Sequence, residues 1–230
     1  KWAMEGGFAQ LVKRLNDPET FAKIAASGMP EMQNRGGPNC IVISDTRGVF
    51  TEVEGMTLRK TADFMNLGDT ESIRQILIRC DGVVRCIYHS IDRGDMLKIM
   101  ARTDVATASD GTAYSLSDMP GKPHPRNTST FPCFLKTVRE ESIMPLEDAV
   151  YKITALPATL MGLGDRIGYL REGYAADITV FDYDTVADTA TYRQAWLAPV
   201  GIDYVFVNGE LVLDHGKITD MRPGRFYRMW

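Results

Sequence analysis

Asp110 is the side chain whose setting best suits proton transfer. It stands in Ser109-Asp110-Gly111, directly after the small, β-tolerant residues 105–108 (Val-Ala-Thr-Ala). An Asp-Gly pair by itself marks a turn. The residues before it predict a strand, and a strand running into that corner leaves the carboxylate at its carboxyl end. Catalytic groups occupy this position at the mouth of a parallel barrel. A carboxylate there can take a proton from a metal-bound water and return it to a leaving amine. Fourteen residues on stands His124-Pro125-Arg126. A neutral ring donor beside a fixed cation suits a substrate carboxylate. The spacing predicts that both lie on one long, rigid, Pro-rich and Gly-rich loop, 112–133, able to cover a site.

The other reactive side chains carry less. There are three histidines, His89, His124 and His215, none at His-x-His or His-x-x-x-His spacing, so three imidazole ligands for a metal require all three to converge. His215 sits in the turn Asp214-His215-Gly216 and reads as surface; His89 closes a strand and reads as structural. The four cysteines, Cys40, Cys80, Cys86 and Cys133, form no Cys-x-x-Cys pair and read as reduced thiols, with an 80–86 disulfide as the alternative. Arg139, Glu140 and Glu141 read as a solvated helix face. The 12 methionines are scattered and read as core filler rather than a ligand box. Gly162-x-Gly164 lacks the third glycine of a dinucleotide fingerprint and reads as a helix end.

Caps and breakers outline the elements that must position these groups. Residues 7–27 predict two helices around Asn16-Asp17-Pro18, with Asp17 as cap and Gly28 as terminator before Pro30. Residues 29–39 read as loop and 40–43 as strand. Thr57 caps a helix to about Met65 and Asp69 another to about Cys80, with 83–89 a strand after the Asp81-Gly82 turn. Ser90 or Asp92 caps the next helix. Helices follow at 134–139, at 146–153 behind Pro145, and from Thr154 to about Gly162. The pattern then turns to strands, and Asn208-Gly209 between two apolar runs is a hairpin signal with a mechanism, both residues tolerating positive φ.

Composition excludes several classes. The chain has 230 residues, with a hydrophobic fraction of 44% and a charged fraction of 24%, which is globular composition. A net charge of -4 gives no electrostatic reason for a nucleic acid or anionic membrane partner. No apolar run approaches the ~18–20 residues of a membrane helix. The opening from Lys1 has no signal-peptide pattern and is not an ordinary initiation site, so a processed chain or a piece of a longer one is expected.

Several stretches resemble one family. They are Ser109-Asp110-Gly111, HPRNTSTFPCFLKTVRE (124–140), Leu146-Glu147-Asp148-Ala149-Val150, ITALPATLMGLGDRIGYLREGYAADITVFDYDTV (153–186) and GIDYVFVNGELVLDHGKITDMRPGRFYR (201–228). Together they resemble the N-acyl-D-amino-acid deacylases (D-aminoacylases) of the amidohydrolase superfamily. Trp2 to Phe8 with LNDPETFAKI (15–24) is similar to that family's segment after its sixth barrel strand, and 29–88 matches its insertion domain in outline.

The resemblance implies an α/β fold: the C-terminal part of a TIM-type (β/α) barrel with a small insertion domain, followed by part of a β-sandwich. A barrel alone needs about 250 residues. The implied segments are 1–28 (barrel helices), 29–88 (insertion), 89–164 (last barrel strand, lid loop and helices) and 165–230 (sandwich part). The implied activity is zinc-dependent hydrolysis of an N-acyl amino acid in the cytoplasm, by a longer parent. Asp110 would carry the proton, and Ser109, His124 and Arg126 would bind substrate. The zinc ligands would lie upstream, leaving the isolated chain metal-free, inactive, and either self-associating or held by its missing half. The family's Gly-Thr-Phe-Pro-Arg is here Ser129-Thr130-Phe131-Pro132-Cys133, a difference that bears on the usual D-amino-acid preference. A cyclic-amide hydrolase of the dihydroorotase or hydantoinase kind, and a non-catalytic scaffold, are the alternatives.

Overall fold

The computed structural model describes residues 2–114 and 121–227; Lys1, Pro120 of the expected loop and Arg228 lie outside them. Two compact units share the chain. Among the described residues, one takes in 2–91, 114, 121–124 and 192–195, and the other 92–113, 125–191 and 196–227. The chain therefore passes back and forth between them.

In the first unit, α1 (Phe8–Asn16) and α2 (Pro18–Asn34) meet at Asp17, whose carboxylate accepts the Thr20 amide at 2.8 Å. That cap satisfies one of the amide groups a helix start leaves without partners. Strand β1 (Ile41–Asp45) follows, then α3 (Leu58–Met65), α4 (Asp69–Arg79) and β2 (Arg85–Tyr88). The strands pair antiparallel, Ile41 opposite Tyr88 and Ile43 opposite Cys86. All five residues of β1 are buried, and Ile41 and Ile43 join Met32, Val53, Leu58, Ile76 and Cys80 in one apolar core. Thr57 caps α3 as expected. Gly68, not Asp69, caps α4, because the Asp69 carboxylate turns to Arg59 at 2.6 Å.

Two further expectations fail here, the helix stop at Gly28 and the loop from residue 29. Helix α2 does not stop at Gly28 but runs through Pro30 to Asn34. Pro30 removes a single hydrogen bond, while the added turns bring Met32 into the core, so packing outweighs the local breaker. The helix closes where the Arg35 and Gly37 amides both donate to the Met32 carbonyl.

The second unit holds α5 (Arg93–Met100), α6 (Arg126–Glu141), α7 (Leu146–Ile153) and α8 (Ala155–Leu160), then β3 (Ile178–Phe181), β4 (Ile202–Val207), β5 (Glu210–Asp214) and β6 (Lys217–Ile218). The four strands form an antiparallel sheet in sequence order. Asn208 and Gly209 turn the β4–β5 hairpin at φ 48° and 84°, the two positive values a two-residue turn of matching twist needs. Asp92 caps α5 through the Asp95 amide. Phe134, Leu135 and Val138 of α6 pack on Ala149 of α7 and on Val186; each large side chain so buried contributes roughly 2 kcal/mol.

The expected loop 112–133 ends at Pro125, with α6 starting eight residues earlier than the sequence suggests. Pro132 lies buried inside the helix, on a face it shares with Ser129 and Leu135. Residues 105–108 are not a strand. A strand exists only with a hydrogen-bonded neighbour, and here the Thr107 amide donates to a helix carbonyl, that of Lys152, at 3.1 Å. The α/β class holds, with both sheets antiparallel among the described residues.

Candidate functional site

The Ser109-Asp110-Gly111 corner lies against the first turn of α6. Asp110 takes φ 47°, a left-handed conformation that Asp tolerates better than most residues. The Gly111 amide donates to Ser109 Oγ at 3.2 Å, and the Thr112 amide donates to Asn127 Oδ1 at 2.8 Å. A Cβ at Gly111 would stand 3.2 Å from the Arg126 carbonyl oxygen and 3.3 Å from Asn127 Cα, so the corner approaches α6 too closely for a larger residue without adjustment. Asp110 Oδ2 is 3.0 Å from Arg126 Nη2, and its side chain is 86% exposed. The carboxylate is thus held by a guanidinium and open to solvent, which proton exchange with a ligand requires.

The remaining expected site residues have other surroundings. Ser109 spends its hydroxyl acceptor on the corner itself. Arg126 is the first residue of α6 rather than a loop residue, and α6 belongs to the second unit. His124 belongs to the first unit, where it and His89 both meet the Tyr192 ring edge-on, at centroid distances of 5.3 and 4.4 Å. His215 lies on the β5–β6 turn, with Nδ1 2.8 Å from Asp214 and Nε2 3.2 Å from the Tyr204 hydroxyl.

Among the described residues, no three His, Cys, Asp or Glu side chains converge as a metal site. Asp110 faces a cation instead of further donors. The described residues therefore do not fit a metal centre of their own. All four cysteines are free, and burial pushes the Cys86 thiol up to about 11, which keeps it protonated and a poor nucleophile at neutral pH.

Sequence reasoning missed three polar side chains in this unit. Asn127 holds the Thr112 amide. Arg139, read as solvated, donates to the carbonyls of Tyr183 and Val186 and binds the end of α6 to that turn. Lys152 is 1% exposed. The apolar Ala149, three residues before it on α7, was a signal for its burial though not for its acceptors, because residues three apart share a helix face.

The amidohydrolase family profile matches residues 95–213, just over half the chain and inclusive of Asp110, Arg126 and the helices around them. The chain belongs to the amidohydrolase family. It is similar to the N-acyl-D-aspartate deacylase of Alcaligenes xylosoxydans xylosoxydans, 39% identical over 177 residues, covering 76% of this chain and 33% of that protein. It is also similar to the D-aminoacylase of the same organism, 40% identical over 140 residues, covering 60% of this chain and 28% of that one. Among solved structures, the N-acyl-D-glutamate deacylase of Bordetella bronchiseptica, complexed with zinc and a phosphonate inhibitor, aligns with a TM-score of 0.66 at 34% identity, over 78% of this chain and 36% of its own. A D-aminoacylase with a binuclear metal centre aligns with a TM-score of 0.67 at 31% identity, over 79% and 36%. The chain spans about a third of the length of these relatives. Among the described residues no helix is long and apolar enough to cross a membrane.

Proposed function

We propose that this chain is the C-terminal part of a zinc-dependent N-acyl-D-amino-acid deacylase, which hydrolyses the amide to a carboxylate and a free amino acid. One observation carries the reading: within the family-matched stretch, an exposed carboxylate on a residue of left-handed backbone is paired with a guanidinium. Asp110 takes a proton from the attacking water and delivers it to the amine nitrogen as the C–N bond breaks. Arg126 holds the Asp110 carboxylate in place and, with Ser109, meets the polar groups of the substrate. The zinc that accompanies the Bordetella bronchiseptica relative is then held by residues other than those described here. On this reading, 1–28 and 89–164 are later segments of a TIM-type barrel, 29–88 an insertion, and 165–230 part of a sandwich. The free cysteines fit a reducing cytoplasm.

The test is Asp110→Asn in the full-length parent, assayed on N-acetyl-D-amino acids and on a dihydropyrimidine. Turnover of the acyl amino acids by the wild type, with a loss of about 10²–10⁴-fold in kcat for the variant, is expected from removal of a general acid–base group. Wild-type turnover by the variant would refute the role of Asp110. Preference for the dihydropyrimidine would refute the substrate class.

A further inference from the structure

Among the described residues, Lys152 is the largest side chain to lie fully buried. A buried ammonium is costly unless its donors find partners. Nζ donates to the carbonyls of Met100 and Arg102, each at 2.5 Å, and stands 5.8 Å from the centre of the Phe134 ring. Met100 ends α5, so its carbonyl is among those a helix terminus leaves without partners, and Arg102 lies two residues beyond that end. The backbone of Lys152 makes a second attachment, its carbonyl accepting the Thr107 amide at 3.1 Å. One residue of α7 thus grips residues 100–102 with its side chain and residue 107 with its main chain. Three residues beyond Thr107 the chain reaches Asp110. The other side of the corner is tied to α6 through Arg126 and Asn127, and α6 and α7 share one core through Phe134, Leu135, Val138 and Ala149.

We propose that Lys152 is a positioning residue for Asp110, fixing the segment 100–107 so that the Ser109-Asp110-Gly111 corner meets the first turn of α6 in one geometry. The inference rests on the reading of Asp110 as proton carrier. Its own content, that the side chain of Lys152 sets the order of 100–112, stands on contacts within one unit. An unpaired strand-like segment has no ladder to hold it, and the two-point grip takes the ladder's place. A methionine here would match the size of the lysine and keep the core filled, while losing the bonds to Met100 and Arg102.

The experiment compares Lys152→Met with the wild type by amide hydrogen exchange in the 230-residue chain. Exchange across 100–112, the Thr107 amide included, should rise about tenfold or more, while core amides of α6 and α7 change little, as local opening does not require global unfolding. Lys152→Gln, which keeps a shorter, neutral donor group, should fall between the two. An equal rise across the core and 100–112, or no rise in 100–112, would overturn the proposal; the first shows Lys152 stabilising the unit as a whole. In the full-length parent, Lys152→Met should lower kcat by about 10–100-fold with KM nearly unchanged, the mark of a misplaced catalytic group. An unchanged kcat beside an intact effect of Asp110→Asn would overturn the positioning role alone. A neutral Asp110→Asn would overturn the reading of Asp110, and the exchange result would still decide whether Lys152 orders the segment.

Discussion

Helix α6 carries an arginine near each end, and the structure assigns them opposite kinds of work. Arg126, in the first turn, pairs with a carboxylate that is 86% exposed, and is itself 43% exposed. Exposed ion pairs contribute no more than about 1 kcal/mol, because water screens the attraction and two long side chains lose freedom. Arg139, in the last turn, donates to the carbonyls of Tyr183 and Val186, the second at 3.0 Å, and Val186 is fully buried. Hydrogen bonds from a charged donor are worth roughly 1.5–3 kcal/mol each, and their loss leaves two carbonyls without a partner. Arg139→Met should therefore cost about 3 kcal/mol or more, and Arg126→Met about 1 kcal/mol or less. For a unit of this size that translates into a fall of roughly 6–12 °C in Tm against a few degrees. Urea and thermal unfolding followed by circular dichroism would measure both. In the parent enzyme the order should invert, Arg126→Met reducing turnover more than Arg139→Met. If Arg126→Met destabilised as much as Arg139→Met, the assignment of the first to the site and the second to the scaffold would be wrong.

Two other outcomes follow from single positions. Gly201 sits at φ 77°, and an added Cβ would come within 2.5 Å of Val186 Cα and N; Gly201→Ala should cost about 2–5 kcal/mol, combining the left-handed penalty with overpacking, and an unaltered urea midpoint would contradict the tight approach of that turn. The Cys86 thiol is raised by burial from an ordinary 9.0 to about 11. Between those values the unfolded chain ionises while the folded one does not, so the stability difference between wild type and Cys86→Ala should be flat below pH 9 and fall by roughly 2–3 kcal/mol toward pH 11. A difference that stays constant over that range would refute the burial argument.

What could be read from the sequence was local. The caps at Asp17, Thr57 and Asp92 each bond an amide three residues on, and the Asn208-Gly209 turn needs only two backbone conformations; neither depends on distant chain. At Asp110 only the tolerance of Asp for a left-handed backbone was legible; the strand expected to end there is absent. The misreadings are where distant packing decided the outcome. Met32 holds α2 helical through Pro30, and Phe134, Leu135 and Val138 hold α6 helical through Pro132. Residues 105–108 have the composition of a strand but no partner strand. Arg139 and Lys152 bind carbonyls 44 to 52 residues away, and nothing in their immediate neighbours announces such acceptors.

The interleaving of the two units has a consequence for how the molecule is made. During synthesis, domains ordinarily mature in order as they emerge. Here the core of the first unit is encoded within residues 29–86, although 192–195 join that unit later, whereas the core of the second waits for Val186 and Ile202. Nascent chains therefore keep the apolar faces of α6 and α7 uncovered until Val186 has emerged, and it is at that stage that chaperone shelter should matter most.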